Sequence, residues 1–191
     1  MTFEELGVSA PLRRAIEELG FENPMPVQER VIPHLLNKEG DVVALAQTGT
    51  GKTAAFGLPV LQRINPENHT PQALILSPTR ELCLQIASDL ADFSKYLPDV
   101  KVLPVYGGSS IESQIRALRE GVQVIVATPG RLIDLIKRGV VKLDNVHTVI
   151  LDEADEMLNM GFLDSIDEIL AAVPDDRKMP VSYTHLRAHE T

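Results

Sequence analysis

From about residue 41 onward, short β-branched apolar runs alternate with stretches whose apolar residues recur three and four positions apart. DVVALA (41–46), ALILS (73–77), KVLPVY (101–106), VQVIVA (122–127) and HTVIL (147–151) are mostly continuous apolar runs, the pattern of strands buried on both faces. Between them, AAFGLPVLQRI, ELCLQIASDLADF, SQIRALRE and RLIDLIKR carry helical spacing. Strand and helix in regular alternation predict a parallel sheet covered by helices, an α/β fold. Ser109 followed three positions later by Glu112 has capping-box spacing, and Thr128 before Pro129 marks a second helix start. Ahead of the first strand, PLRRAIEELG sets Leu12, Ala15, Ile16 and Leu19 on one face and stops at Gly20, a helical preface outside the alternation. No internal repeat or low-complexity tract interrupts this pattern.

Composition narrows the class. A chain of 191 residues with 44% hydrophobic content can bury one sizeable core, and its length argues for one domain rather than two. No apolar stretch approaches the roughly 20 residues of a membrane span, and MTFEELGVSA lacks a signal pattern, so a cytoplasmic location is expected. Cys83, the single cysteine, lies between two leucines and reads as a buried, inert thiol. The five histidines form no metal-ligand spacing beside it. Arg116 and Arg119 share a helix face and read as solvated. A net charge of −9 argues against a nonspecific polyanion binder, so any nucleic-acid contact must be local.

Chemistry enters after the first strand. AQTGTGKT, residues 46–53, nearly fits a phosphate loop: glycines let backbone N–H groups wrap phosphates, Lys52 reaches the terminal phosphates, and Thr53 meets Mg²⁺. Ala46 stands where the strict pattern has its first glycine. Gln47, Thr48, Gly49, Thr50 and Gly51 complete the turn, which feeds a helix N-terminus where the dipole favours an anion. The last strand runs into a cluster of carboxylates, VILDEAD. A buried strand ending in acid, downstream of a phosphate loop, matches the arrangement that holds Mg²⁺ beside a nucleotide, directly or through water. In that arrangement Asp152 orients the metal, whose charge offsets the crowded carboxylates, and Glu153 is placed to orient or deprotonate the water attacking the γ-phosphate.

With the Asp-Glu-Ala-Asp run and that loop together, the chain resembles a DEAD-box ATP-dependent RNA helicase, specifically its first RecA-like domain, and among subfamilies the bacterial cold-shock type. Other stretches agree in order: GFENPMPVQ (20–28), SPTRELCLQ (77–85), Gly107-Gly108 and TPGR (128–131). The match covers about residues 3 to 179. It implies a RecA-like three-layer sandwich with a mainly parallel sheet, ATP and Mg²⁺ as cofactors, and RNA as partner. GFENPMPVQ resembles the family's adenine-reading Q motif, which implies adenine contacts by Phe3, Phe21 and Gln28. Phe3 lies 17 residues ahead of Gly20, as in the family. Met25 departs, standing where the family usually has Thr or Ser. Gln28 has an amide that can donate to and accept from a base edge, and Phe3 can stack on a base or pack beneath the N-terminal helix. RNA contacts are implied at Pro78, Thr79, Arg80 and Glu81, at Gly107 and Gly108, and at Thr128, Pro129, Gly130 and Arg131. Helix-start amides and hydroxyls there can grip sugar-phosphate oxygens without a basic bulk composition. Asp155 is expected to contact the coupling segment that follows in the family.

That segment is where the chain departs. Family members continue with a strand carrying Ser-Ala-Thr, central and beside the phosphate-loop strand, and then with a second RecA-like domain. Here RKMPVSYTHLRAHET offers only a faint echo at Ser182-Tyr183-Thr184. The expected layout is therefore a preface with Q motif (1–40), a RecA-like domain (41–179) and a non-native tail (180–191), with marginal stability from an incomplete sheet. The second domain supplies transition-state arginines in the family, so this chain, expected as a monomer, should bind nucleotide better than it hydrolyses it. A nucleotide-dependent RNA-binding scaffold and a DNA-directed translocase are the competing readings.

Overall fold

The computed structural model describes residues 1–38, 42–47 and 51–174; Glu39, Gly40 and Asp41, the loop residues Thr48, Gly49 and Thr50, and the tail from residue 175 lie outside them. Five strands, β1 (Val42–Ala46), β2 (Ala73–Leu76), β3 (Val102–Val105), β4 (Val124–Ala127) and β5 (Thr148–Asp152), form one sheet in the order β1-β5-β2-β4-β3. Every pairing is parallel. All five anticipated strands are present, most of them trimmed at an end where the backbone leaves the ladder.

The helices are α1 (Ala10–Glu18), α2 (Pro26–Leu36), α3 (Lys52–Gln62), α4 (Arg80–Phe93), α5 (Ile111–Glu120), α6 (Pro129–Lys137), α7 (Ala154–Asn159) and α8 (Leu163–Ala172). From β1 to β2 and on to β3 the chain moves one way across the sheet; from β3 through β4 to β5 it moves back. Since parallel crossovers are right-handed, the reversal sends α5 and α6 to the opposite face from α3 and α4. Alternate strand residues divide accordingly. Val42, Ala44, Ile75, Val126 and Ile150 join the core under α1 to α4, whereas Val43, Leu45, Leu76, Ile125 and Leu151 join the core under α5 to α8. This is the RecA-like three-layer sandwich. β3 is an edge strand and its Val102, Leu103 and Pro104 are only half-buried, unlike the central strands.

α3 is buried nearly all round, and it approaches α4 closely at Gly57, where a Cβ would lie 2.7 Å from a Leu90 methyl. One helix start differs from expectation. α5 begins at Ile111 with Ser110 as N-cap and no side-chain cap, because the Ser109 carbonyl is drawn away to Arg131. Three helices carried no clear signal in advance. α2 holds Pro33 in its interior, and α7 and α8 follow the acidic turn with few strongly periodic residues. Among the described residues, no helix is long and apolar enough to cross a membrane.

Candidate functional site

In an all-parallel sheet the carboxyl ends of all strands face one edge, so the loops that follow them gather there. The register makes this concrete for the two ends that carry phosphate-loop and acidic chemistry. Ala46, the last residue of β1, is the Cα partner of Asp152, the last of β5, and the Glu153 N–H donates to the Ala46 carbonyl at 3.0 Å. The turn into the phosphate loop therefore starts beside the acidic strand end. Asp152 has no exposed surface, and a buried carboxylate demands counter-charge or hydrogen bonds.

Glu153 bends the chain from β5 into α7 with φ 57° and ψ 48°, and among the described residues it is the one non-glycine with positive φ. For an L-residue this conformation costs about 1–2 kcal/mol. Strain of this kind persists where a site needs a side chain aimed in one direction.

Across from it, Gly51 caps α3 with φ 78°, a conformation that suits glycine, and Lys52 opens the helix. The first amides of α3 have no intrahelical acceptor and face the loop. The Lys52 ammonium donates to the Gln47 side-chain oxygen at 3.3 Å, which holds it at the loop mouth. Thr53 is buried, near the Asp89 carboxyl of α4. Burial raises the Asp89 carboxyl above the ordinary carboxylate range; the Gln85 bond and the Thr53 hydroxyl partly offset this, and the nearby Asp92 charge adds to it.

The Q-motif segment is fastened to this turn. Gln28 is buried; its side-chain oxygen accepts from the Met25 N–H at 2.9 Å, and its amide nitrogen donates to the Gly51 carbonyl at 3.1 Å. The Met25 sulfur packs on Gly51 so closely that a Cβ there would lie 2.3 Å from it. Phe3 is buried, its ring 6.3 Å from Phe21, which in turn meets Phe93 edge-on at 6.1 Å. Of the two readings for Phe3, the one observed is packing in the core, with Phe21 half-buried above it. A cavity of about 290 Å³ opens between α2, β1 and α3, lined by Arg30, His34, Gln47 and Lys52 together with Ala44 and Ile150. It reaches Lys52 and Gln47 but not Phe21, Gln28, Asp152 or Glu153.

The other half of the edge belongs to β2, β4 and β3. Thr79 caps α4, its hydroxyl accepting from the Leu82 N–H at 3.2 Å. Thr128 caps α6 by position, with Pro129 at the first helical site, and its own N–H donates to the Val105 carbonyl at 2.9 Å. Pro78 and Pro129 are buried; Arg80, Glu81, Gly107, Gly108 and Gly130 are exposed. The Arg80 guanidinium sits over the Tyr106 ring at 5.0 Å. Arg131 turns inward, donating to the Ser109 carbonyl through both terminal nitrogens at 3.2 Å and to the Gln114 oxygen at 3.0 Å. The Gln114 amide donates to the Tyr106 carbonyl at 3.2 Å.

Two of these residues, Gln114 and Tyr106, escape a motif reading. Gln114 still leaves a trace in the sequence, a polar residue on the apolar stripe between Ile111 and Leu118. Arg116 and Arg119 are exposed on α5, and Asp155 is exposed at the start of α7. Cys83 is inert as read: it is fully buried, its thiol donates to the Val126 carbonyl at 3.0 Å, and burial pushes it up to about 11. Among the described residues, no cluster of three His, Cys, Asp or Glu side chains could hold a metal ion without other ligands.

Comparison with known proteins agrees with this geometry. A family profile described as DEAD/DEAH box helicase matches residues 25–185. The chain is 51% identical over 174 residues to the ATP-dependent RNA helicase DeaD of Escherichia coli (strain K12), covering 91% of this chain and 28% of that protein. It is 52% identical over 177 residues to the DEAD-box ATP-dependent RNA helicase CshA of Geobacillus kaustophilus, covering 93% and 38% respectively. The crystal structure of a DEAD box protein from the hyperthermophile Methanococcus jannaschii superposes with a TM-score of 0.84 at 45% identity, over 93% of this chain and 48% of that one. The chain thus spans about a third of the length of the curated relatives it matches. With the phosphate-loop strand, the acidic strand end and the intervening motifs in matching order, the chain belongs to the DEAD/DEAH-box helicase family.

Proposed function

We propose that this chain is the ATP- and RNA-binding first domain of an ATP-dependent RNA helicase, acting in the cytoplasm with a second RecA-like domain of the same protein. The observation that carries the reading is the pairing of Ala46 with Asp152, which sets a phosphate loop and a buried carboxylate on adjacent strands. In this reading the α3 amides and Lys52 hold the phosphates, with residues 47–51 as the rest of the cradle. Adenine contacts fall to Phe21 and Gln28, with Phe3 packed against Phe21; an adenine edge would take over the bonds that the Gln28 amide makes to Met25 and Gly51. Asp152 and Thr53 are hard oxygen donors of the kind Mg²⁺ prefers, so these residues fit the ion. Bound there, it would neutralise phosphoryl charge. Glu153 orients the attacking water and accepts its proton. Pro78, Thr79, Arg80, Gly107, Gly108, Thr128, Pro129, Gly130 and Arg131 line the RNA half, where helix-start amides and hydroxyls favour backbone over base contacts.

Titration calorimetry of the folded chain with Mg-ADP and Mg-ATP, paired with anisotropy of a labelled single-stranded RNA, tests the two halves separately. Measurable heat with nucleotide and salt-sensitive RNA binding are expected. Absence of nucleotide heat from well-folded protein would remove the reading. Duplex unwinding by this chain alone is not expected, because in P-loop ATPases an arginine supplied from outside the loop contributes about 10³ to 10⁵ in rate.

A further inference from the structure

Gln114 stands apart from the rest of α5. It is the one fully buried residue of a helix whose Ile111, Ile115 and Leu118 are only partly buried against the core, 4% exposed, and both ends of its amide are engaged. Its oxygen accepts from Arg131 at 3.0 Å and its nitrogen donates to the Tyr106 carbonyl at 3.2 Å. Arg131 also grips the Ser109 carbonyl, while the Tyr106 ring carries the Arg80 guanidinium. One side chain thus ties the loop after β3, which holds Gly107 and Gly108, to the helix start after β4. Through Tyr106 it also touches the helix start after β2.

The chemistry of this arrangement is asymmetric. Gly107 and Gly108 are exposed, and no side chain fills the space beside Gly107. Such a turn has many conformations to lose on gripping a ligand, and fixing it beforehand lowers the cost of binding. Arg131, with its guanidinium bonded inward, works as a strut between the loops.

We propose that Gln114 is a positioning residue for single-stranded RNA: it locks the Gly107-Gly108 turn onto Arg131, so that the loops after β3 and β4 meet an RNA backbone as one rigid surface. The proposal rests on the RNA-binding reading given above. Losing the preorganisation that the two Gln114 bonds supply corresponds to about a tenfold loss of affinity.

The test uses the whole 191-residue chain and Gln114→Met, which keeps volume and burial but neither hydrogen bond. Anisotropy of a labelled oligouridylate, Mg-ADP calorimetry, thermal melting and amide exchange at Gly107, Gly108 and Ser109 are measured in parallel. RNA affinity falls about tenfold and those amides exchange faster, with a modestly lower melting temperature from the two lost bonds and Mg-ADP affinity at the parental value. A side chain that merely filled the core would leave RNA affinity and exchange unchanged in this variant, and that result overturns the proposal while the RNA reading stands. If the parent chain itself binds no oligouridylate, both fail, and the parent measurement identifies that case. Should Gln114→Met not fold, Gln114→Glu takes its place. It keeps the acceptor for Arg131 and loses the donor to Tyr106, and parental RNA affinity with parental exchange in it equally overturns the proposal.

Discussion

The two halves of the sheet's functional edge are built differently. On the β1–β5 side, ordinary local rules are broken. A carboxylate is wholly buried at Asp152, a non-glycine residue takes a left-handed conformation at Glu153, and Gly51 is pressed between Met25 and Gln28. On the β2–β4–β3 side the rules hold. Two helices begin with Thr at the N-cap position, Thr79 with its hydroxyl bonded and Thr128 without a side-chain bond, while Arg131 bonds to loop backbone and Arg80 stacks on Tyr106. Violations of local preference concentrate where a chemical step needs an exact direction or charge, and they persist because surrounding packing outweighs them. A surface of the kind proposed for this side, holding a repeating polymer backbone, has no such need, since many weak contacts share the task.

The sharpest way to break this contrast is Glu153→Gln. The amide keeps the size and backbone conformation, so the variant should melt with the parent and bind Mg-ADP equally well. Loss of the proton acceptor should lower ATP cleavage by about 10² to 10⁴, read in single-turnover assays with protein in excess, which register slow chemistry. Cleavage at the parental rate would move the acceptor elsewhere and make the strain at Glu153 purely architectural.

Gly51→Val probes the same half through the backbone. A β-branched residue at φ 78° meets both the left-handed penalty and the Met25 sulfur, 2.3 Å from the new Cβ. We expect a loss of about 2–5 kcal/mol in unfolding free energy, from the backbone penalty and overpacking together, with Mg-nucleotide binding abolished. Denaturant unfolding and calorimetry read the two effects. Truncating Met25 to Ala in the same chain should return part of the stability, because it clears the clash while the φ penalty stays. No recovery would mean that the clash contributes nothing.

How much of this was legible beforehand follows the same division. The strands were readable because Val, Ile, Leu and Ala runs such as VVALA and TVILD have few alternatives once they must be buried on both faces. Thr128 was readable as a helix start because a Thr before Pro is a local signal. Strand adjacency was not local: nothing in periodicity says that β5 inserts between β1 and β2, and it was the pairing of a phosphate loop with a later acidic strand end that implied Lys52 and Asp152 share a site. The conformation of Glu153 was invisible because packing imposes it against local preference. α2 was obscured by Pro33, which cannot donate within the helix, and by Gln28 on its buried face. Ser109 misled because its carbonyl answers to Arg131, a contact from another strand's loop. Gln114 escaped for the opposite reason: a lone polar residue on an apolar stripe looks like a flaw until its two partners are seen.

The smallest expected effect lies beneath the regular half, at Cys83, and it asks whether that half is as unstrained as its hydrogen bonding suggests. The thiol is fully buried under α4 and bonded to the Val126 carbonyl, and burial moves it from 9.0 to about 11. A group whose folded value is raised favours its protonated form in the native state. Its contribution is therefore complete below the unfolded value and declines as pH rises from 9.0 toward about 11. The decline is on the order of 2 kcal/mol, since each unit of separation corresponds to about 1.4 kcal/mol. Cys83→Ala removes the titration together with a little packing, so its unfolding free energy should start lower at neutral pH and fall less steeply between pH 9.0 and 11 than the parent's. Parallel curves for the two proteins over that interval would show that the thiolate is tolerated. The core beneath the β2–β4 loops would then be open enough to admit water, and the difference between the two halves would be one of chemistry rather than rigidity.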